Sequence, residues 1–367
     1  MQITYLLPAV GHCGGQKIIA EHVTRLNRQY GHDARVFTQH GSFAEWYHYP
    51  VATQRFESVS AMLLALSNRT GPIVATTPET VDWALMDKKN RAKDDTTKHY
   101  YFIQDEDENT YQGVENGLTY KAGLFHIYES IFVERHINKK YGTKGYNIGI
   151  AIDPMMYHFQ PYRQRNMFRI LAPFRSDDGG PGELKGFDIT CDVLNTLVKV
   201  APTDLHKKIS VVTYGRTKVF DANRYNLSWT LHYPHIHMHN AYDVDIVRTM
   251  NESGVFLHTS RHEGFGLPLL ESMACGLPIV CTDSHGNREH CKAFMLIDPT
   301  PVNMAKLICE ILLDMNHWSG KQYTGLRIAE NYKYTNGSYG NYDPIARLNT
   351  LFAVHERGGN MQNETDE

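Results

Sequence analysis

The sequence predicts an α/β protein with two domains, each built on a parallel β-sheet. Its 367 residues are too many for one ordinary core and suit two domains of ~150–200 residues. Short apolar strands alternate with helical stretches in both halves of the chain, and this order is typical of parallel sheets. A content of 42% hydrophobic and 21% charged residues is that of a soluble globular protein.

Charge and cysteine content narrow the class of protein further. A formal net charge of −3 provides no basic field, so no nucleic-acid partner is expected. No apolar run reaches the ~18–20 residues of a membrane-spanning helix, and the first residues read as a strand rather than a signal peptide. The 6 cysteines lack C-x-x-C spacing and indicate reduced thiols. We therefore expect a cytoplasmic protein without a transmembrane segment, and peripheral membrane association stays open.

Periodicity defines the elements of the first half. A helix is predicted over 15–30, because Ile19, Val23 and Leu26 recur at helical spacing. The charged stretch 87–98 is predicted to be a solvated loop. Short apolar runs predict strands at 2–7, 34–38, 72–76, 99–104, 124–130 and 146–150.

A second alternation of strands and helices follows a linker rich in proline and arginine. Strands are predicted at 168–172, 209–213, 228–233, 255–258 and 279–282, and helices at 186–200, 240–250 and 302–316. The expected organisation is an N-terminal domain over 1–158, a C-terminal domain over 165–335, a helix over 336–356 that crosses back to the first domain, and a disordered tail over 357–367.

Residues 263–280, EGFGLPLLESMACGLPIV, form the most specific pattern in the chain. Gly264 and Gly266 leave the backbone unshielded, so several N–H groups can face a ligand. Pro268 suits the first turn of a helix, and Gly276 suits the position just beyond its end. The pattern therefore predicts a short helix with an open N-terminus, which is a site for a diphosphate.

Two carboxylates flank this helix start. Glu263 precedes the turn and Glu271 lies in the helix body, so each can face one end of a bound molecule. Carboxylates beside a phosphate site are useful when they hold hydroxyls, which points to a sugar or ribose. The alternative is a helix cap followed by a buried helix, because Leu267, Leu270 and Met273 are typical core residues.

The whole run resembles the Glu-x7-Glu signature of family-4 retaining glycosyltransferases. Such enzymes have the GT-B fold, in which two Rossmann-like domains face each other across a cleft. The resemblance implies an acceptor-side N-terminal domain and a nucleotide-sugar-binding C-terminal domain. It implies that Glu263 contacts the transferred sugar and that Glu271 holds the ribose. Backbone N–H groups would bind the donor diphosphate at Gly264, Phe265, Gly266 and Leu267.

Three further positions match the family pattern. Gly15 lies in a glycine pair after the first strand, where backbone donors approach the donor, although any tight turn could use such a pair. Arg175 and Lys185 occupy the places of the family's diphosphate-binding cations, and fixed cations stabilise the leaving phosphate. The alternative for both is a surface position beside a flexible insertion. Residues 213–215 end a strand and either meet the nucleotide or form a simple turn.

The strand end Gln104–Asp107 resembles the Phe-Ile-Gln-Asp strand end of family-4 rhamnosyltransferases and related polysaccharide enzymes. There Asp105 would polarise an acceptor hydroxyl or hold a sugar. An Asp-x-Asp is also the metal motif of GT-A glycosyltransferases, and an exposed acidic loop is the structural alternative. A cluster of four histidines suggests a zinc site, but no carboxylate or cysteine completes it. The four are His232, His235, His237 and His239. His126 and His258 are expected to be core or strand-end residues, and His262 to line the cleft.

The resemblance implies a retaining hexosyl- or deoxyhexosyltransferase of surface polysaccharide or glycan synthesis. It would move sugar from a nucleoside-diphosphate-sugar to a glycan or lipid-linked glycan hydroxyl, with no metal and no cofactor. Two other functions stay open. One is an inactive GT-B protein that binds nucleotide sugar or glycan, and the other is a nucleotide-sugar epimerase.

Overall fold

The computed structural model divides the chain into two compact units. The first unit contains residues 1–151 and 334–367, and the second contains residues 152–333. The structure describes residues 1–92, 95–106, 117–175, 184–216, 223–294, 299–334, 343–359 and 361.

The first unit is a seven-stranded parallel sheet with helices. The strand order is β3-β2-β1-β4-β5-β6-β7, which contains the 3-2-1-4-5-6 order of a Rossmann fold. Its strands are β1 (Gln2–Ala9), β2 (Asp33–His40), β3 (Thr53–Arg55), β4 (Ile73–Ala75), β5 (Tyr100–Ile103), β6 (Phe125–Tyr128) and β7 (Gly145–Asn147). Its helices are α1 (Gly14–Tyr30), α2 (Val59–Leu66), α3 (Pro78–Asn90) and α4 (Ile131–Tyr141), with α12 (Pro344–Glu356) from the C-terminus.

The second unit is a five-stranded parallel sheet in the order β10-β9-β8-β11-β12. Its strands are β8 (Asn166–Pro173), β9 (Ser210–Gly215), β10 (His235–His239), β11 (Ser253–His258) and β12 (Ile279–Cys281). Its helices are α5 (Phe187–Val200), α6 (Thr203–His206), α7 (Asp243–Glu252), α8 (Leu267–Ala274), α9 (Arg288–Cys291), α10 (Pro301–Leu313) and α11 (Met315–Glu330). Every residue of β11 is buried, as expected for an inner strand covered on both faces.

These two parallel-sheet α/β domains confirm the predicted fold class. The predicted strands and helices are found close to their expected positions with two exceptions in the second unit. Residues 228–233 were expected to form a strand, but Ser228–Leu231 form a 3-10 helix and the strand begins at His235. Pro234 lacks the N–H of a ladder bond, and the fully buried Trp229 anchors the 3-10 turn in the core.

The second exception is the predicted helix 302–316, which ends at Leu313. Asp314 then caps a further helix, α11, by accepting a hydrogen bond from the Asn316 N–H at 2.8 Å. A polar cap residue between two periodic segments starts a new helix instead of extending the first.

The charged stretch 87–98 is not wholly a solvated loop. Helix α3 continues to Asn90, and Asp87 is buried. The Asp87 carboxylate accepts hydrogen bonds from Arg91 at 2.6 Å and from His99 at 3.2 Å. Paired burial of these side chains explains why a charged sequence here belongs to the folded domain.

The C-terminal helix α12 packs within the first unit. The Tyr100 hydroxyl lies 2.8 Å from Nδ1 of His355, and Arg347 donates to the Asn147 carbonyl at 3.1 Å. Most of the tail, and residues 335–342 before the helix, lie outside the described residues. No helix within the described ranges combines the length and the apolarity needed to cross a membrane.

Candidate active site

The candidate site is built around the end of strand β11 in the second unit. The segment after this strand is tied to the loop before α5: the Leu184 carbonyl accepts from the Arg261 N–H at 2.6 Å, and the Gly186 carbonyl accepts from the Thr259 hydroxyl at 2.7 Å. Gly186 has a φ of +61°, and a Cβ atom there would lie 2.0 Å from the backbone carbonyl oxygen of Thr259. Only glycine allows this close approach, which brings the intervening Lys185 beside Glu263.

Glu263 is 8% exposed and has a basic group at each carboxylate oxygen. Nζ of Lys185 lies 2.8 Å from Oε2, and Nε2 of His258 lies 3.4 Å from Oε1. Burial alone would raise the pKa of this carboxyl, but Lys185 and His258 outweigh burial and hold the pKa well below its usual range. Glu263 is therefore an anion at neutral pH.

The backbone of Glu263 is fixed by the loop that follows β12. Its N–H donates to the Ser284 carbonyl at 2.9 Å, and its carbonyl accepts from the Gly286 N–H at 3.1 Å. A Cβ atom at Gly286 would lie 2.2 Å from the Gly264 oxygen, so the two loops touch backbone to backbone. Backbone hydrogen bonds on both sides of Glu263 therefore fix the position of its main chain.

Helix α8 starts directly after this point, as the sequence predicted. Gly266 is its N-cap residue with a φ of +94°, Pro268 lies in the first turn, and no side chain caps this N-terminus among the described residues. The Phe265 ring stacks on His290 with 4.4 Å between ring centroids, so its side chain is packed inside. The segment from Phe265 to Leu267 can therefore offer a ligand its backbone N–H groups and the positive end of the helix.

Glu271 lies in the body of α8 and is 5% exposed. The Tyr157 hydroxyl donates a hydrogen bond to it; burial, Glu271 and Asp243 all raise the pKa of Tyr157 well above its ordinary value. The pKa of Tyr214, at the end of β9, is raised by burial and by the carboxylates of Glu271, Asp243 and Glu263. The two signature glutamates and the end of β9 therefore share one electrostatic environment.

Arg175 follows β8 by two residues and is half-buried. The Phe174 N–H donates to the Tyr214 carbonyl at 2.7 Å, which places the ends of β8 and β9 side by side. The segment after Arg175, 176–183, lies outside the described residues. The diphosphate role of Arg175 therefore stays a prediction, whereas Lys185 is seen in contact with Glu263.

Gly15 and Gln104 come together in the first unit. Gly15 lies in the first turn of α1, and its carbonyl accepts from Nε2 of Gln104 at 2.9 Å. The same amide donates to Glu129 at 3.1 Å. Asp105 is the next residue, half-buried, and its Oδ1 accepts from the Glu106 N–H at 2.8 Å. The ends of β1 and β5 thus carry the predicted glycine turn and the predicted acidic residue at one edge of the sheet.

The acidic segment after β5 is partly structural. Glu106 is 8% exposed and binds His136 at 3.0 Å, Lys140, and Tyr141 at 3.2 Å. Burial would raise the pKa of Glu106, but the Lys140 and His136 contacts lower it. Asp107, the second acid of the Asp-x-Asp pattern, lies outside the described residues.

The histidines of β10 have an internal partner. Oγ1 of Thr213 lies 2.9 Å from Nε2 of His235 and 2.9 Å from Nδ1 of His237. One nitrogen of each ring thus has a protein hydrogen-bond partner.

Sequence reasoning missed two contacts of the site. His258 was expected to be a core or strand-end histidine, and it does end β11, but it also touches Glu263. Tyr157 was not named as a site residue, and its hydroxyl donates a hydrogen bond to Glu271. The sequence contained one signal for the His258 contact. A histidine lies five residues before the first signature glutamate, in a strand that ends at that site.

Comparisons with known proteins find relatives of part of this chain. Residues 184–319 match the family model for Glycosyl transferases group 1. Sucrose-phosphate synthase from Zea mays is 33% identical over 118 residues, which are 30% of this chain and 11% of that protein. Sucrose synthase from Solanum tuberosum is 34% identical over 110 residues, 28% of this chain and 13% of that protein. The chain thus spans about a tenth of the length of these curated relatives.

The structural comparison covers nearly the whole chain. HepE from Anabaena, solved in complex with UDP-glucose, superposes with a TM-score of 0.72 at 15% identity, covering 97% of this chain and 100% of that chain. The chain therefore has the GT-B fold, and its segment 184–319 matches the family model for Glycosyl transferases group 1.

Proposed function

We propose that this chain is a retaining, metal-independent glycosyltransferase. It moves a hexose or deoxyhexose from a nucleoside-diphosphate-sugar to a hydroxyl of a glycan or lipid-linked glycan. The observation that carries the proposal is the Lys185–Glu263 pair beside the open N-terminus of α8, inside the segment that matches the family model. The UDP-glucose bound to HepE supports a nucleotide-sugar donor.

Each group of the second unit has a role in this reaction. Backbone N–H groups at the start of α8, with Lys185 and Arg175, hold the diphosphate and stabilise the charge that grows on it as the C1–O bond breaks. Glu263 contacts the transferred sugar near its anomeric carbon. Glu271, to which the Tyr157 hydroxyl donates, holds the ribose hydroxyls.

The first unit supplies the acceptor side. Gly15 approaches the donor through its backbone, and Asp105 accepts or orients the acceptor hydroxyl. The acceptor oxygen forms the new bond to C1 on the face from which the phosphate departs. The departing phosphate oxygen takes the acceptor proton, so no protein nucleophile is needed and the anomeric configuration is retained.

The test is release of nucleoside diphosphate from UDP-, GDP- and dTDP-sugars in the presence of a glycan acceptor mixture. Transfer is expected from one donor class, to persist with EDTA, to give a product of the donor's anomeric configuration, and to be abolished in Glu263→Ala. Donor binding without release would instead indicate a non-transferring protein. An isomerised nucleotide sugar formed without acceptor would indicate an epimerase.

A further inference from the structure

We propose that His258 is a positioning residue: its Nε2–H group donates to Oε1 of Glu263 and holds this carboxylate in the orientation that sugar transfer requires. The inference deepens the proposed function and rests on it for the consequence in catalysis. Its structural part concerns one hydrogen bond and can be tested without substrate.

The two oxygens of Glu263 have different partners. Lys185 reaches Oε2 at 2.8 Å, and His258 reaches Oε1 at 3.4 Å, at the long end of hydrogen-bonding distances. A single contact would leave the carboxylate free to rotate about its last bond. Partners on both oxygens fix the plane of the group.

The surroundings of His258 select one form of its ring. Its Nδ1 atom is buried and has no hydrogen-bond partner among the residues that the structure describes. A proton on Nδ1 would be a buried N–H group without an acceptor, which costs free energy. A proton on Nε2 instead donates to Glu263. Burial lowers the pKa of the neighbouring His290 to about 3, so the His290 ring is neutral at pH 7.

His258 and Lys185 differ in what they can do when donor binds. The Lys185 side chain is 32% exposed, whereas that of His258 is 3% exposed. Lys185 has three N–H donors on a flexible stem and can share them with a diphosphate. His258 sits at the end of an inner strand and cannot follow, so it keeps Glu263 in place while the lysine is shared.

The kinetic test compares His258→Leu, His258→Gln and His258→Asn. The leucine variant removes the donor, and we expect kcat to fall about 10- to 100-fold with donor KM nearly unchanged, because small displacements of a reacting group are costly. Glutamine places an N–H near the position of Nε2 and should retain most of kcat. Asparagine is too short and should resemble leucine. His126→Leu, at a buried strand histidine of the first unit, is the matched control.

The spectroscopic test uses protein labelled with ¹⁵N-histidine, with the His258 signals assigned by their loss in His258→Gln. The Nε2–H tautomer is expected in the wild type, and Glu263→Ala should shift the His258 signals. An Nδ1–H tautomer, or signals unchanged by Glu263→Ala, would overturn the inference even if transfer occurs. Equal kcat in the leucine variant and the wild type would also overturn it, while loss of all transfer in the wild type would count only against the proposed function.

Discussion

Nζ of Lys185 lies 2.8 Å from Oε2 of Glu263, although 78 positions separate the two residues in the chain. The contact exists because the loop that carries Lys185 is hydrogen-bonded to residues 259–261, directly before Glu263. A cation and an anion of the candidate site are therefore coupled through one pair of backbone loops.

Lys185→Ala is expected to lower stability in a pH-dependent way. The folded-state pKa of Glu263 lies below its ordinary value of 4.5, so the pair stabilises the fold above pH 4.5, and this contribution is lost as the pH falls below 4.5. Because Lys185 is partly exposed, we expect a loss of about 1–2 kcal/mol at pH 7. Urea unfolding at pH 7 and pH 3.5 measures the free energy of unfolding of the wild type and the variant. The difference between the two proteins should be smaller at pH 3.5.

Lys199→Ala is the control, because Lys199 is exposed on α5 and distant in sequence from the signature. It should change stability little at either pH. An equal loss for Lys185→Ala at both pH values would contradict the ion pair as the source of stabilisation.

Replacing Glu263 should mainly lower kcat, whereas replacing Glu271 should mainly raise donor KM. Glu263→Gln is expected to lower kcat by a factor of about 100 or more, because it alters charge beside the reacting carbon. Glu271→Gln weakens a ribose contact away from the reaction, so donor KM should rise about 10-fold with a smaller change in kcat. Steady-state kinetics with varied donor provide the measurement.

Tyr157→Phe is the companion variant for Glu271. It removes the hydroxyl that donates to Glu271 and should raise donor KM less than Glu271→Gln does. If Glu271→Gln reduced kcat as strongly as Glu263→Gln at constant KM, the assignment of Glu271 to the ribose would be wrong.

Gly266→Ala is expected to destabilise the fold through its backbone. The φ of +94° is unfavourable for alanine, whereas an added Cβ would meet Asn287 at an ordinary 3.4 Å. The expected cost is about 1–2 kcal/mol. Gly320→Ala is the matched control in helix α11, where an added Cβ meets nothing within 4 Å. It should stabilise by about 0.5–1 kcal/mol, and urea unfolding of both variants checks the pair.

His355→Gln is expected to reduce the loss of stability in mild acid. Burial lowers the pKa of His355 to about 4, so the fold favours the neutral ring that contacts the Tyr100 hydroxyl. This contribution is fully present above pH 6.5 and is lost as the pH falls from 6.5 towards 4. Urea unfolding measures the change in free energy of unfolding between pH 7 and pH 4.5. This change should be smaller for the variant than for the wild type. His232→Gln, at an exposed histidine, should behave like the wild type; parallel curves for all three proteins would argue against the docking of α12 through this ring.

Local patterns by themselves determined most of the fold. The helical repeat of Ile19, Val23 and Leu26 located α1, and Pro268 and Gly276 located the start and the end of α8. These features are local, since side-chain period and turn chemistry act within a few residues. The same locality explains the error at 228–233, where tertiary packing of Trp229 outweighed strand periodicity.

The tertiary structure alone decided which side chains meet at the signature. Parallel strands bring their carboxyl ends to one edge of the sheet, so residues remote in sequence become neighbours there. In this way His258 and Lys185 reach Glu263, and Tyr157 reaches Glu271. The sequence identified both carboxylates, but their hydrogen-bond partners depend on loop contacts that no local pattern contains.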